Sequence, residues 1–199
     1  MACLIDHSEI HPWIQIIPRN LFFHPELIRF THLDIPLPVG LGEMALAPSL
    51  LYSLIEKLDI QKDMNVLEVG TGNGYTAALL SFLGTKVKTI ERNRELLKRA
   101  KENFQKLEIQ LESEWMDVYS RDFDQLPLFD RILVTGGIEG DYNFLEKKLN
   151  PKDGILIFPF GGEWDIQKII TISYQNGIKK IEEGAVCRID GLKKDLTER

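Results

Sequence analysis

The stretch NVLEVGTGNGYTAALLSFL, residues 65–83, decides how the rest of the 199-residue chain is read. Asn65 to Gly70 is a short run of apolar and β-branched residues that predicts a strand. The loop TGNG follows, and Tyr75 to Leu83 reads as a helix. A strand that turns through alternate glycines into a helix starts a unit of parallel strands covered by helices.

The same alternation continues outward. KVKTIE (86–91) predicts a second strand and ELLKRAKENFQKL (95–107) a second helix, with a third strand at 109–117 and a fourth, FDRILVTG, at 129–136. The helix NFLEKKL (143–149) and the strand ILIFPF (155–160) come next. KIITISY (168–174), the turn Gln175-Asn176-Gly177 and IKKIEEGAVCRI (178–189) predict a hairpin that extends the sheet in antiparallel sense. Upstream, Leu50, Leu51, Leu54, Ile55 and Leu58 form the apolar stripe of a helix opened by Pro48. Residues 1–45 hold Pro12, Pro18, Pro25, Pro36 and Pro38, which predicts short helices and extended pieces wrapped over a larger body. The expected fold is α/β: a doubly wound, mostly parallel sheet with antiparallel C-terminal edge strands and an N-terminal wrapping segment. One domain is expected over 1–199, with the wrap at 1–45 and the core at 46–199.

Composition narrows the function classes. Hydrophobic residues at 44% and charged residues at 27% exclude a disordered tail, a collagen or a disulfide-built miniprotein. Lys and Arg number 24 against 30 Asp and Glu, a net charge of −6, which argues against sequence-independent nucleic-acid binding. Cys3 and Cys187 belong to no Cys cluster and read as reduced thiols of an intracellular, cytoplasmic protein. The opening MACLIDHSEIHPW lacks the basic and apolar regions of a signal peptide, and no apolar run suggests a membrane span. His7, His11, His24 and His32 show no ligand spacing, so no metal is expected. Trp13, Trp115 and Trp164 read as packing residues, and the chain is expected to be a monomer.

In an open α/β sheet, ligands bind beyond the carboxyl ends of the strands, where strand order reverses. Glu68-Val-Gly70-Thr71-Gly72-Asn73-Gly74 ends the first strand, and its glycines allow a sharp turn and close approach of a ligand. Glu91 ends the second strand 19 residues after Gly72 (91 − 72), near the spacing of an acid that accepts from both ribose hydroxyls. Asp117 closes the third strand where an adenine edge would lie, and Thr135-Gly136-Gly137 closes the fourth at the reaction centre. The spacing GxGxG is not the dinucleotide GxGxxG. A carboxylate at Glu68 would repel a pyrophosphate but suits the amino group of S-adenosylmethionine, so NAD chemistry ranks last.

The stretches VLEVGTGNGYTAALLS, KVKTIERNRELLKRAKENF and FDRILVTGGIE resemble protein-L-isoaspartate O-methyltransferases. So does IPRNLFFHPELIRFTHLDIPLPVGLGE (17–43), with its D-x-P-L-P-x-G run at Asp34–Gly40, and so do GILIFPFGGEWDIQKI and GAV (184–186). The resemblance covers nearly the whole chain. It implies a Rossmann-like methyltransferase fold, S-adenosylmethionine as donor, and methylation of the free carboxylate of L-isoaspartyl residues in damaged proteins, the first step of their repair. It further implies that Glu68, Gly70, Thr71, Gly72, Asn73 and Gly74 form the donor loop, that Glu91 holds the ribose, and that Arg92 belongs to the cofactor site. Asp117 and Val118 would meet the adenine, and Thr135 and the 42–48 segment would face the acceptor.

One segment departs from the family pattern. Where the family has G-Q-T-I-S-Q-P, this chain has Gly42-Glu43-Met44-Ala45-Leu46-Ala47-Pro48, so Leu46 stands at the position of the family Ser and Glu43 at that of an amide. The family's R-F-V-P-L after GAV is kept only loosely at Cys187–Gly191. A carboxylate acceptor is already ionised at neutral pH and needs no general base. Loss of a hydrogen bond to it costs about 1.5–3 kcal/mol, roughly ten- to hundredfold in rate. Two further readings stay open: a methyltransferase of this fold with a different acceptor, and a catalytically weak protein that binds the donor.

Overall fold

The computed structural model describes residues 17–162, 166–189 and 191–192. Cys3, His7, His11, Trp13 and Trp164 lie outside them. Pro18 and Pro25 each open a short 3-10 helix, Arg19–Phe22 and Pro25–Phe30. Proline's fixed φ suits a first turn and its missing N–H is not needed there. Beyond them a small hairpin pairs Leu37–Gly40 (β1) with Glu43–Ala45 (β2). Its tip, Gly40-Leu41-Gly42, holds three successive positive φ angles of 108°, 56° and 81°. The segment is fastened to the body by Ile17, Phe22, Phe23 and Leu37, all buried in one apolar cluster. The buried Arg19 guanidinium donates to the carbonyls of Leu33, Ile35 and Leu46, tying three turns of the segment together.

Pro48–Lys57 (α1) leads into Asn65–Val69 (β3), whose last four residues are all buried. Tyr75–Phe82 (α2), Lys86–Glu91 (β4), Arg94–Lys106 (α3) and Glu112–Trp115 (β5) follow. The chain continues through Arg131–Val134 (β6), Asn143–Glu146 (α4), Ile155–Phe160 (β7), Gln167–Gln175 (β8) and Ile178–Cys187 (β9). The seven main strands lie in the order β5-β4-β3-β6-β7-β8-β9, with β8 antiparallel to both neighbours and the other pairs parallel. This is the expected doubly wound, mostly parallel sheet with antiparallel edge strands. Strands covered on both sides read as continuous apolar runs. Leu67, Val69, Ile132 and Phe158 face one apolar cluster, while Val66, Leu133 and Ile157 face the other.

Strand order reverses at β3, with β4 on one side and β6 on the other. Val69 is level with Ile90 and with Val134, so the carboxyl ends of the three strands open at the same height. That alignment makes the crevice.

Three elements are shorter than the sequence pattern predicts. The strand expected at 109–117 is paired only at 112–115, because it is the exposed sheet edge and Asp117 turns the chain by accepting from the Tyr119 N–H at 2.9 Å. The helix expected at 143–149 stops at Glu146, since the buried Lys148 ammonium reaches the carbonyls of Asp124 (2.6 Å) and Leu126 (2.9 Å). The strand expected at 129–136 runs from 131 to 134. Trp115 is half exposed rather than packed inside, with the Arg94 guanidinium 3.9 Å above its ring. Among the described residues no helix is long and apolar enough to cross a membrane.

Candidate active site

A cleft of about 690 Å³, its open mouth included, lies over the carboxyl ends of β3, β4, β5 and β6. Gly70 and Gly72 form its floor. The Gly70 φ is 100°, and a Cβ there would come within 2.5 Å of the Thr135 hydroxyl. A side chain at that point would have to displace the Thr135 hydroxyl.

Glu91, at the end of β4, is the best-anchored acid of the cleft. Its Oε2 accepts from the Gly72 N–H at 3.1 Å and its Oε1 from the Asn93 N–H at 2.9 Å. The glycine loop and the start of α3 are thus both fixed on one carboxylate, which still has lone pairs directed to the cleft. Burial raises its affinity for a proton, and nearby Glu43 adds to that, while the two backbone N–H groups and Arg92 oppose it. Asn93 caps α3, accepting from the N–H groups of Glu95 and Leu96. Arg92, Asp117 and Val118 also line the cleft, as the sequence pattern predicts. The apolar wall is completed by Ile90, Leu96 and Met116.

The other loop residues stand behind the cleft wall. Glu68 is fully buried and does not border the cleft. Thr71 donates to Thr89 at 2.6 Å, and Thr89 to Glu68 Oε2 at 2.6 Å, so a three-residue chain of hydrogen bonds supports the loop from below. Burial pushes the Glu68 carboxyl up to about 8, with Thr89 opposing and the charge of Glu91 adding. Its Oε1 is the one buried side-chain polar atom without a hydrogen-bond partner among the described residues. Thr76 stands near this carboxyl without hydrogen-bond geometry. Direct contact of Glu68 and Thr71 with a ligand in the cleft is therefore corrected to support of the loop.

Asn73 likewise faces the protein. Its amide donates to the Phe22 carbonyl at 3.2 Å, its Oδ1 accepts from the Tyr75 N–H, and its own carbonyl accepts from Asn103 at 3.0 Å. Gly74 opens α2 with φ 89°, and a Cβ there would lie 2.6 Å from the Phe104 ring, so its glycine lets α2 and α3 pack together. Neither residue borders the cleft.

A scan against family descriptions matches residues 2–189 to protein-L-isoaspartate (D-aspartate) O-methyltransferase. The chain belongs to the protein-L-isoaspartate O-methyltransferase family. A relative of that name from Xanthobacter autotrophicus is 33% identical over 170 residues, 85% of this chain and 77% of its own length. One from Rhodopseudomonas palustris is 35% identical over 181 residues, 88% of this chain and 82% of its own. A crystal structure from Plasmodium falciparum, named for the same enzyme and holding S-adenosyl-L-homocysteine, superposes with a TM-score of 0.78. It covers 96% of this chain and 93% of its own at 22% identity, a likeness of fold.

The 42–48 segment lies partly at the cleft and partly away from it. Leu46, at the position of the family Ser, is buried in the apolar cluster and does not border the cleft. Its carbonyl accepts from Arg19, which fixes the backbone there. A hydroxyl at this position would face the core. The segment's residues at the cleft are Glu43 and Met44 of β2, and Val39 of β1 stands 3.9 Å from where a Gly72 Cβ would be. Thr135 borders the cleft, but its hydroxyl donates to the carbonyls of Gly70 (2.8 Å) and Val69 (3.1 Å). It holds the loop while remaining at the cleft wall.

Ile189, Gly191 and Leu192 form a wall that no local pattern announces. The fully buried Gln167 secures it, donating to the Ile189 carbonyl and accepting from the Ile189 N–H, both at 2.8 Å. Leu192 N–H donates to the Gly137 carbonyl at 2.7 Å. The polar residue in KIITISY's approach, Gln167 before an apolar run, is the only trace of this in the sequence.

Proposed function

We propose that this protein transfers a methyl group from S-adenosylmethionine to the free side-chain carboxylate of L-isoaspartyl residues in damaged proteins. The observation that carries the donor half is the Glu91 carboxylate, held by the Gly72 N–H at the floor of a glycine cleft. A carboxylate fixed at that height suits the vicinal hydroxyls of a ribose. Met116 and Val118 suit the faces of an adenine, and Asp117 suits its amino edge. These residues fit S-adenosylmethionine.

The bound donor supplies an electrophilic methyl on a sulfonium. Everything else falls to the chain. An isoaspartyl carboxylate arrives ionised and keeps its lone pairs available, so no residue has to remove a proton. The work of the site is orientation and exclusion of water, which can supply several kcal/mol when the reacting atoms are held in line. Thr135 and Gly70 keep the floor flat beneath the reacting atoms. Val39, Met44, Ile189 and Leu192 offer apolar walls that keep water from the donor. A cytoplasmic setting is part of the same proposal; the described thiol, Cys187, is pushed up to about 11 by burial and so stays protonated at neutral pH.

A second reading has its own support. Glu43 brings a carboxylate to the cleft and raises the proton affinity of Glu91, so this wall presents an acid where the family pattern has an amide. A relative with the same donor site and a neutral or cationic acceptor would show such a wall. Methylation of an isoaspartyl peptide beside its normal aspartyl twin separates the two. Selective labelling of the isoaspartyl peptide is expected; equal labelling, or none, overturns the repair reading. Calorimetry with S-adenosylhomocysteine tests the donor half alone, where the absence of micromolar binding would remove both.

A further inference from the structure

The last strand, β9, is ten residues long and lies at one edge of the seven-stranded sheet. Ile178 to Val186 are all exposed, including Ile178 (74%), Ile181 (49%) and Val186 (65%). An open edge of this length presents a row of unpaired backbone groups, which proteins usually shorten or guard with charge. Here the charges are not a uniform guard. Lys179-Lys180-Ile181-Glu182-Glu183 reads as two cations, a centre and two anions.

Turn geometry sets which backbone groups point outward. Asn176 and Gly177 both have positive φ, 52° and 79°, so the β8–β9 hairpin has a two-residue primed turn closing on the Gln175–Ile178 pair. Hydrogen-bonded and open pairs then alternate along the unbroken register from Gln175–Ile178 to Ile170–Glu183. Ile178, Lys180 and Glu182 direct their N–H and C=O to β8. Lys179, Ile181 and Glu183 direct theirs outward.

We propose that β9 is a self-association edge, on which a second copy of this chain pairs antiparallel about a two-fold axis at Ile181. In that register the outward groups of Lys179, Ile181 and Glu183 meet those of Glu183, Ile181 and Lys179, so the ladder closes in phase. Lys179 faces Glu183 and Lys180 faces Glu182, twice each. Moving the axis by one residue keeps the phase but sets Lys180 against Lys180 or Glu182 against Glu182. Charge therefore selects one register. The present partners are local: Lys180 lies 3.0 Å from Glu182 of its own strand and Lys168 2.6 Å from Glu183, both exposed, while Lys179 bonds the mostly buried Glu146 at 2.6 Å and would share its charge with the incoming Glu183. Ile181 meets Ile181 on the face where its neighbour Ile172 is buried. The contact is a single strand pair, small beside stable interfaces, so the dimer is concentration-dependent. The expected monomer is then the dilute form.

Sedimentation velocity of the full chain across a range of concentrations tests this. The wild type should pass from one-chain to two-chain mass as concentration rises. Ile181→Pro removes an outward N–H that β8 does not use, so it should fold with an unchanged melting temperature and stay monomeric. Lys180→Glu places like charges opposite one another and should weaken the dimer about tenfold, and adding Glu182→Lys should restore it. Melting curves confirm that each variant is folded, and the charge pair keeps the test decisive if the proline variant is not. A wild type that stays monomeric throughout overturns the proposal. So does a dimer indifferent to Lys180→Glu, or one that the second substitution fails to restore.

Discussion

The two sides of the cleft are built differently. On the donor side, Gly70, Gly72 and Glu91 sit at the ends of buried parallel strands, and each is fixed by neighbours from two or three other elements. On the acceptor side, Glu43 and Met44 belong to a two-stranded hairpin outside the main sheet, with a tip of three positive φ angles. The first arrangement tolerates little change because the loop, β4, β6 and α3 share their contacts. The second can change side chains at Glu43 and Met44 without disturbing the sheet. Side chains on the hairpin can therefore vary while the glycine floor stays fixed.

The largest effect is expected at Gly74→Val. A Cβ there would stand 2.6 Å from Phe104 and 3.3 Å from Ala100, on a residue with φ 89°. Overpacking and backbone strain together should cost about 3 kcal/mol or more, lowering the melting temperature by about 10 °C in calorimetry. A variant that melted like the wild type would show that the donor side is not rigid.

Glu91→Ala comes next. It strands two backbone N–H groups and removes the ribose acid, so affinity for S-adenosylhomocysteine should fall roughly ten- to hundredfold in titration calorimetry. Activity should fall with it. Retention of full affinity would move the ribose site elsewhere.

Glu68→Gln probes the support beneath the loop through pH. The folded-state carboxyl is raised to about 8 from an ordinary 4.5, so the stability it lends as a neutral acid is complete below about 4.5 and lost as pH rises through about 8. Wild type and variant should melt together at pH 5. By pH 9 the variant should melt several degrees higher, which thermal scans in a common buffer series would detect.

Much of the donor side is legible in the sequence because it obeys local rules. A buried parallel strand is an apolar run, a tight turn into a helix takes glycine, and an acid at the next strand end falls at a fixed spacing. The roles of Glu68, Thr71 and Thr135 are not legible in that way. Strand ends are obvious, but which side chains face up into a cleft and which face down to a helix depends on pleat and packing. Leu46 is a similar case. Counted along the family motif it belongs at the acceptor, yet the pull of the apolar cluster and the bond from Arg19 turn it inward. The wall at Ile189 and Leu192 depends on Gln167, more than twenty residues away, and carries no periodic signal.

The smallest effect is expected at Glu43→Gln. Removing one partly screened charge near the acceptor should raise kcat/KM for an isoaspartyl peptide by about two- to tenfold, with donor affinity nearly unchanged. Steady-state assays at saturating donor would measure it. A fall in activity would mean that Glu43 recognises a positive group on the substrate.

Asn73 has a consequence for how the chain is made. Its amide reaches back to Phe22, and its carbonyl forward to Asn103, so the N-terminal segment finds its seat only once residues some fifty to eighty positions later are in place. During synthesis Phe22 and Phe23 emerge before the residues that seat them, and must wait exposed on the nascent chain. Substitution of Asn73 should therefore act less on the finished enzyme than on the yield of chains that reach it.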